Sequence, residues 1–172
     1  MIRCARPEDA QAIARVHVRT WQAAYAHVFP ADELAALSVE RRVQVWSQYL
    51  TREDTGIFVG ESDGSVIGFV SVGESPDAPG EGELYAIYVD PDHWGTGIGR
   101  ELIAAGEDWL RAHSYEIATL WVLADNPRAR RFYEIAGWSV DDTERTGAHL
   151  GVETTEVRYR KELYAAPNAR NR

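Results

Sequence analysis

The sequence of 172 residues has little cysteine and too few basic residues to balance its acids. Its single cysteine, Cys4, excludes an internal disulfide, and neither CxxC nor a His pair at ligand spacing suggests a metal site. We expect Cys4 to be a small core residue of the first strand, in preference to an acetyl carrier. Because no long apolar run is present, we expect neither a signal peptide nor a membrane span. These absences predict a cytoplasmic, metal-free protein.

The balance of charge is acidic, with 18 Lys and Arg against 27 Asp and Glu and a net charge of −9. A general nucleic-acid binder needs a basic face to displace counterions, so this class is disfavoured. The acidic excess suits a cationic substrate, although it is more often only a solvated surface. Apolar residues make up 45% of the sequence, enough for one compact domain. We assign residues 1–163 to this domain and residues 164–172 to a flexible tail.

Hydrophobic periodicity predicts the order strand, two or three helices, three strands, helix, strand, helix and two strands. The first helix is predicted over residues 10–28, Ser38 is predicted to cap a later one, and one of the last strands is predicted over residues 138–142. Asp63-Gly64 predicts a hairpin between the second and third strands. Three consecutive strands exclude strict β-α-β alternation. We therefore predict an α/β fold of the α+β type, with a mixed, mostly antiparallel sheet of about seven strands and helices on both faces.

A loop with three glycines, Gly95, Gly97 and Gly99, follows a strand and precedes a helix. It lacks the lysine of a Walker loop, and Arg100 stands where the dinucleotide fingerprint has its third glycine. Glycines let the main chain approach a phosphate closely, and the amides that open the next helix point at it. The loop therefore predicts a phosphate site. A tight turn with close packing of helix on strand is the alternative.

Two motifs, in this order, resemble the GNAT superfamily of N-acetyltransferases. "VDP" at 89–91 and "WGTGIG" at 94–99 are similar to the family's V-x-P and [QR]-x-x-G-x-[GA]. "NPRARRFYEIAGW" at 126–138 is similar to N-x-x-A-x-x-F-Y-x-x-x-G-[FW]. The resemblance covers about 83–138 and implies the GNAT fold with acetyl-CoA as acetyl donor. Because Trp94 stands at the family's Gln or Arg, we expect weaker or differently distributed contacts to the cofactor diphosphate.

The resemblance also implies which residues hold the cofactor. A strand-like backbone is expected to pair with the amide groups of the pantetheine arm, and the loop amides are expected to bind the diphosphate. The implied cofactor-binding residues are Ile87, Tyr88, Val89, Gly95, Thr96, Gly97, Ile98, Gly99, Arg100 and Asn126. Asn126 has an alternative interpretation as the cap of the helix that begins at Pro127.

For catalysis the resemblance implies Tyr133 and Glu83. Tyr133 would stabilise the departing thiolate by a hydrogen bond, and its alternative is an aromatic core residue of an amphipathic helix. Glu83 would accept the proton that the attacking amine loses. An ordered water, Asp90 or Asp125 are alternatives for this role, and a solvated carboxylate at a strand end is the structural alternative for Glu83.

The first long helix is the implied wall of the acceptor site. Trp21 and Tyr25, four residues apart on one face, are expected to contact a substrate amine, or else to be core residues. Alternation along the fourth strand predicts that Glu83 shares a face with Tyr85 and Ile87.

The resemblance therefore implies direct transfer of acetyl from acetyl-CoA to an amine, and we expect the acceptor to be the primary amine of a small molecule, such as an amino acid, a polyamine or an antibiotic. The alternatives are a protein or peptide N-acetyltransferase and a non-catalytic acyl-CoA sensor. A toxin that acts on aminoacyl-tRNA is disfavoured by the net charge. We expect no nucleic-acid, membrane or metal partner. The resemblance also implies a homodimer, for which the terminal strands offer an edge.

Overall fold

The computed structural model describes residues 1–164, which form one mixed sheet flanked by helices. The strands are β1 (Ile2–Cys4), β2 (Thr55–Ser62), β3 (Ser65–Glu74), β4 (Gly82–Val89), β5 (Ile117–Leu123), β6 (Ser139–His149) and β7 (Val152–Glu162). The helices are α1 (Ala10–Ala24), α2 (Ala31–Ala35), α3 (Val39–Tyr49), α4 (Ile98–Ala112) and α5 (Pro127–Ile135). The predicted tail, 164–172, lies outside the described residues except for Tyr164.

The strand order across the sheet is β1-β2-β3-β4-β5-β7-β6. The pair β4–β5 is parallel, and the other neighbouring strands are antiparallel. Helices cover both faces, since α1 and α3 pack on one face, and α4 and α5 on the other. The predicted α/β fold with a mixed, mostly antiparallel sheet of seven strands is therefore confirmed. Among residues 1–164, no helix is both long enough and apolar enough to cross a membrane.

Strand β3 lies at the centre of the core because both of its faces are buried. Phe69 packs with Ile13 of α1 and Trp46 of α3, whereas Val70 packs with Leu102 of α4. Full burial of such a side chain stabilises the fold by about 1.5–3 kcal/mol. Burial on both faces fixes β3 and, through the β3–β4 ladder, the strand that borders the site.

Local signals that depend on near neighbours are confirmed. Ser38 caps α3, since its hydroxyl oxygen accepts a hydrogen bond from the backbone N–H of Arg41 at 3.2 Å. Asp63 and Gly64 form the β2–β3 hairpin turn, with φ of 49° and 75°. These positive φ values match the turn that a two-residue hairpin requires.

The first long helix is shorter than its predicted range of 10–28. It ends at Ala24, and the following residues form a turn in which Tyr25 and Phe29 are buried. Their rings pack against Trp21, with centroids 4.9 and 5.8 Å away. The aromatic cluster thus buries Tyr25, a residue that the periodicity assigned to the last turn of the helix.

Two further expectations are wrong. The strand predicted over 138–142 continues to His149, because residues around Asp142 (φ 61°) bulge out and the β6–β7 pairing then resumes. Cys4 is exposed and not a core residue, since it lies on β1 at the edge of the sheet.

Strands β4 and β5 separate soon after they meet. They pair only at Gly82–Ala118 and Glu83–Thr119. Beyond these pairs, β4 continues along β3, whereas β5 continues along β7. One main-chain edge of β4 therefore faces an opening at the carboxyl ends of two parallel strands, a position where α/β sheets commonly bind ligands.

A bulge in β4 decides which side chains face which helices. The pairing with β3 skips Tyr85, because Leu84 and Ala86 lie opposite consecutive residues. The extra residue reverses the alternation beyond it. Ile87 packs with Leu84 on the α4 side, while Ala86 packs on the α1 side, which is also the side of Glu83. The prediction that Glu83 shares a face with Ile87 is therefore wrong.

Candidate active site

A cavity of about 740 Å³ occupies the opening between β4 and β5. The glycine loop and the first turns of α4 and α5 border one end, and Glu83 lies toward the other. Since a strand rises about 3.3 Å per residue, the six steps from Glu83 to Val89 separate the two ends by about 20 Å. Every predicted catalytic, cofactor-binding and substrate residue lines this cavity except Ile98. The Ile98 side chain packs in the core, so only its backbone can face a ligand.

The loop end of the cavity is suited to an anion. Gly95 and Gly97 have φ of 80° and 94°, a conformation that strongly favours glycine. Gly97 is the N-cap of α4, and the amides in the first turn of a helix have no partners within that helix. The side chains of Arg100, Arg128 and Arg131 line the same end. Helix amides and guanidinium groups together provide the donors that a diphosphate requires.

Asn126 caps α5, so this interpretation is confirmed. Its side-chain oxygen accepts a hydrogen bond from the backbone N–H of Ala129 at 3.0 Å. Its side-chain nitrogen donates to the Tyr25 hydroxyl at 3.3 Å. Asn126 thus ties α5 to the end of α1 at the cavity wall. A direct contact of its side chain with the cofactor stays a prediction.

Tyr133 projects from α5 into the cavity. Its side chain is buried, and within residues 1–164 no hydrogen bond engages its hydroxyl group. Burial raises the pKa of Tyr133 well above the usual value for a phenol. The residue is therefore protonated at neutral pH, with a donor available to a bound molecule.

Glu83 is buried at the start of β4, with 8% of its surface exposed. One of its oxygens accepts a hydrogen bond from the Ser75 hydroxyl at 2.9 Å. Burial raises the pKa of Glu83, an effect that the Ser75 hydrogen bond opposes. The alternative bases, Asp90 and Asp125, do not line the cavity. The Asp90 carboxylate instead pairs with Arg19 at 3.1 Å.

Trp21 and Tyr25 belong to both the core and the cavity. Trp21 packs on Phe29 and donates a hydrogen bond from its indole nitrogen to the Tyr88 hydroxyl at 3.1 Å. Tyr25 is buried, and burial raises its pKa. The two rings nevertheless line the cavity, so the core interpretation and the acceptor-wall interpretation are compatible.

Four residues that the sequence did not single out complete the end near Glu83. They are Trp121 of β5, Arg145 and His149 of β6, and Glu156 of β7. The Arg145 guanidinium carbon lies 4.2 Å from the centroid of the Trp121 ring, and its Nε donates to Glu156 at 2.6 Å. Only the pairing of β5 and β6 with β7 brings these side chains together. Alternation along a strand gives a face but not a register, so no local signal identifies them.

Within residues 1–164, no three His, Cys, Asp or Glu side chains are arranged to hold a metal ion.

The sequence matches the acetyltransferase (GNAT) family over residues 14–138. It is 36% identical over 129 residues to an uncharacterized N-acetyltransferase of Bacillus subtilis, YuaI, a match that covers 73% of each chain. Mycothiol acetyltransferase of Sanguibacter keddieii is 41% identical over 91 residues, which are 50% of this chain and 29% of that protein. The fold is similar to that of PaiA N-acetyltransferase from Thermoplasma acidophilum in complex with coenzyme A. The TM-score is 0.75 at 21% identity, over 94% of this chain and 98% of that one.

Proposed function

Because the chain belongs to the GNAT acetyltransferase family and is an acyltransferase, we propose that it transfers acetyl from acetyl-CoA directly to the primary amine of a small molecule. The observation that carries the proposal is the placement of two groups on one cavity. A buried carboxylate with a raised pKa, Glu83, and a protonated phenol, Tyr133, both line it. The loop end of the same cavity offers the donors that the cofactor diphosphate needs.

The acceptor amine must be neutral to attack. An alkylamine of pKa about 10 is almost fully protonated at neutral pH, so a base is required. Glu83 takes this proton, and its raised pKa makes it a stronger base than an exposed carboxylate. Acetyl-CoA supplies the activated thioester carbonyl and a thiolate leaving group.

Tyr133 acts on the leaving group. A thiol has a pKa of about 8.5, below that of a phenol, so full proton transfer from Tyr133 to the sulfur is uphill. Tyr133 therefore donates a hydrogen bond to the sulfur as the carbon–sulfur bond breaks and the carbon–nitrogen bond forms. The ammonium form of the acceptor loses two protons, one before the attack and one as the amide forms. Both pass through Glu83 to solvent, and the released thiolate takes one proton up from solvent. The reaction needs no other reactant.

The end of the cavity near Glu83 supports a small cationic acceptor. Glu83 supplies negative charge for an ammonium group, and the Trp21 ring lines the same end. By contrast, the Trp121 ring and Glu156 are already engaged by Arg145. Side chains also reach across this end, since Trp21 contacts the His149 ring with centroids 6.1 Å apart. Nη1 of Arg145 lies 3.6 Å from Oδ2 of Asp77, a residue of the loop that follows β3. A peptide substrate would need an open groove between these bridging pairs.

The test is release of coenzyme A thiol by the purified protein with acetyl-CoA and a panel of amino acids, polyamines, aminoglycosides and short peptides. We expect selective turnover of one class of small amine. Turnover of peptides alone would replace the small-molecule acceptor with a protein acceptor. Absence of thiol release from the whole panel, with acetyl-CoA bound, would contradict the small-amine proposal.

We also propose a cytoplasmic location and a homodimer. The edge strand β6, eleven residues long, supports the dimer because its outer main-chain groups are available for pairing. Light scattering at micromolar concentration tests the mass, and cell fractionation tests the location.

A further inference from the structure

Trp94 and Arg128 form a stacked pair at the loop end of the cavity. The guanidinium carbon of Arg128 lies 3.5 Å from the centroid of the Trp94 ring. The indole is itself held in place, because its nitrogen donates a hydrogen bond to the carbonyl of Val89 at 2.7 Å. A cation on the face of an anchored ring loses much of its conformational freedom before any ligand binds.

Arg128 has no other partner that accounts for its position. Within residues 1–164 it makes no ion pair, and burial alone shifts its pKa, downward. Several arginines of this acidic chain are instead paired with carboxylates, such as Arg3 with Asp9 and Arg158 with Asp141. A guanidinium that is stacked on an anchored ring and has no counterion is available to bind an external anion.

The surroundings of Arg128 identify the class of anion. It lies in the first turn of α5, while Trp94 lies in the loop that leads to α4, and both line one cavity. Arg100 and Arg131 line the same end. Two helix N-termini and three guanidinium groups at one end of a cavity suit a ligand with more than one negative phosphate oxygen.

We propose that Arg128, held on the face of Trp94, is the side chain that binds the cofactor diphosphate in this protein. The inference rests on the proposed function, since it assigns the diphosphate of coenzyme A to this end of the cavity. Trp94 stands at the position of a polar side chain in the family pattern, and here it supports a guanidinium from α5 instead. The polar contact is thus moved from the glycine loop to the neighbouring helix.

The test compares the affinities of Arg128→Met and Trp94→Leu for coenzyme A, measured by calorimetry. Loss of a charge-assisted contact should weaken binding about 10-fold in Arg128→Met. Trp94→Leu should weaken it about 3-fold, because the cation–π support is lost while an apolar side chain remains. In the double variant, removal of Trp94 should add little, since both changes disable one contact. Arg15→Met, which removes an exposed arginine from α1, is the control for net charge and should bind as the wild type does.

A second ligand locates the contact on the cofactor. Arg128→Met should lose the same factor for 3′-dephospho-coenzyme A, which keeps the diphosphate and lacks the ribose phosphate. If Arg128→Met binds coenzyme A more weakly than the wild type but binds 3′-dephospho-coenzyme A equally well, Arg128 contacts the ribose phosphate and the proposal is overturned. Unchanged affinity for both ligands would also overturn it. If the wild type binds neither ligand, the proposed function fails along with this inference. Unchanged affinity in a variant of a binding wild type overturns the inference alone.

Discussion

Nδ1 of His17 accepts a hydrogen bond from the indole nitrogen of Trp46 at 3.2 Å, in the core between α1 and α3. Burial lowers the pKa of His17 to about 3, and the positive charge of Arg42 acts in the same direction. In the unfolded chain a histidine titrates near pH 6.5. Between these two values the unfolded chain binds a proton that the folded protein does not, so acid favours unfolding.

We predict that His17→Leu removes part of the acid sensitivity of the protein. Below pH 6.5, His17 lowers the free energy of unfolding of the wild type by up to about 1.4 kcal/mol per pH unit, and the variant lacks this loss. At pH 8 the variant should be less stable by about 1–3 kcal/mol, because Trp46 is left without an acceptor. Urea unfolding should therefore show that the difference in free energy of unfolding between the wild type and His17→Leu becomes smaller from pH 8 to pH 4.5. The exposed-site control His27→Leu loses a contact with the Asp125 carbonyl and should differ from the wild type by a constant amount over this range. A constant difference for His17→Leu as well would contradict the prediction.

Glu83→Gln should reduce kcat/KM about 10²-fold to 10⁴-fold through loss of the base. In the wild type, activity should rise with pH as Glu83 loses its proton, at a pH above the ordinary range for a glutamate, because burial raises its pKa. The variant should lack this step. The measurement is the pH dependence of kcat/KM from pH 4.5 to 9 for the wild type and for Glu83→Gln, with Glu53→Gln as the exposed control. A wild-type pH profile retained in Glu83→Gln would exclude Glu83 as the base.

The same carboxylate should also affect stability. Because its pKa is higher in the folded protein, Glu83 favours folding below about pH 4.5, and this contribution is lost as pH rises through the folded value. Glu83→Gln should therefore melt higher than the wild type at pH 7, with a smaller difference at pH 4. Calorimetric melting at the two pH values measures the effect, and a lower Tm at pH 7 would argue against it.

Tyr133→Phe should lower kcat about 10²-fold, because the hydrogen bond to the departing sulfur is lost. Affinity for coenzyme A should change little, since the ring is kept. Steady-state kinetics and calorimetry separate the two effects. Tyr49→Phe, on the surface of α3, is the matched control. Turnover by Tyr133→Phe at the wild-type rate would show that the phenol has no chemical role.

Lys161→Met should destabilise the fold by about 3 kcal/mol. The Lys161 ammonium group donates to both oxygens of buried Glu107, at 2.7 and 2.8 Å, and thereby joins β7 to α4. Without it a buried carboxylate is incompletely paired. Arg52→Met breaks an exposed pair with Asp54 and should change stability far less, because solvent screens the pair. Urea unfolding at pH 7 compares the free energies of unfolding of the two variants. Equal losses would refute the claim that the buried Lys161–Glu107 pair matters more than the exposed one.

Features that depend on neighbours in sequence were predictable. The glycine loop, the Ser38 cap and the Asn126 cap each follow from residue types a few positions apart. The side of the sheet that Glu83 shares with other residues of β4 was not predictable, because a single extra residue at Tyr85 reverses the alternation. Bulges of this kind are fixed by pairing with another strand, which the local pattern does not contain.

Contacts between distant elements were equally inaccessible. The stack of Arg128 on Trp94 joins two helix entrances 34 positions apart, and it appears only once α4 and α5 lie side by side. The sequence showed that Trp94 stands at the position of the family's Gln or Arg, but not that a guanidinium from α5 would stack on it. Similarly, Arg145 and Trp121 meet only through the register of β5, β6 and β7.

The brief contact of β4 with β5 has a mechanical consequence. Within residues 1–164, strand pairing between β4 and β5 is limited to two residue pairs, Gly82–Ala118 and Glu83–Thr119, so the two halves of the sheet are joined otherwise through the core. Under the proposed function, the pantetheine arm of acetyl-CoA binds in the opening between β4 and β5 and bridges the two strands. Since a ligand that binds only the folded state opposes unfolding, the protein's resistance to proteolysis then tracks how well the cell is supplied with acetyl donor. Under the proposed function, the folded state of the enzyme is thus stabilised by its own substrate, acetyl-CoA.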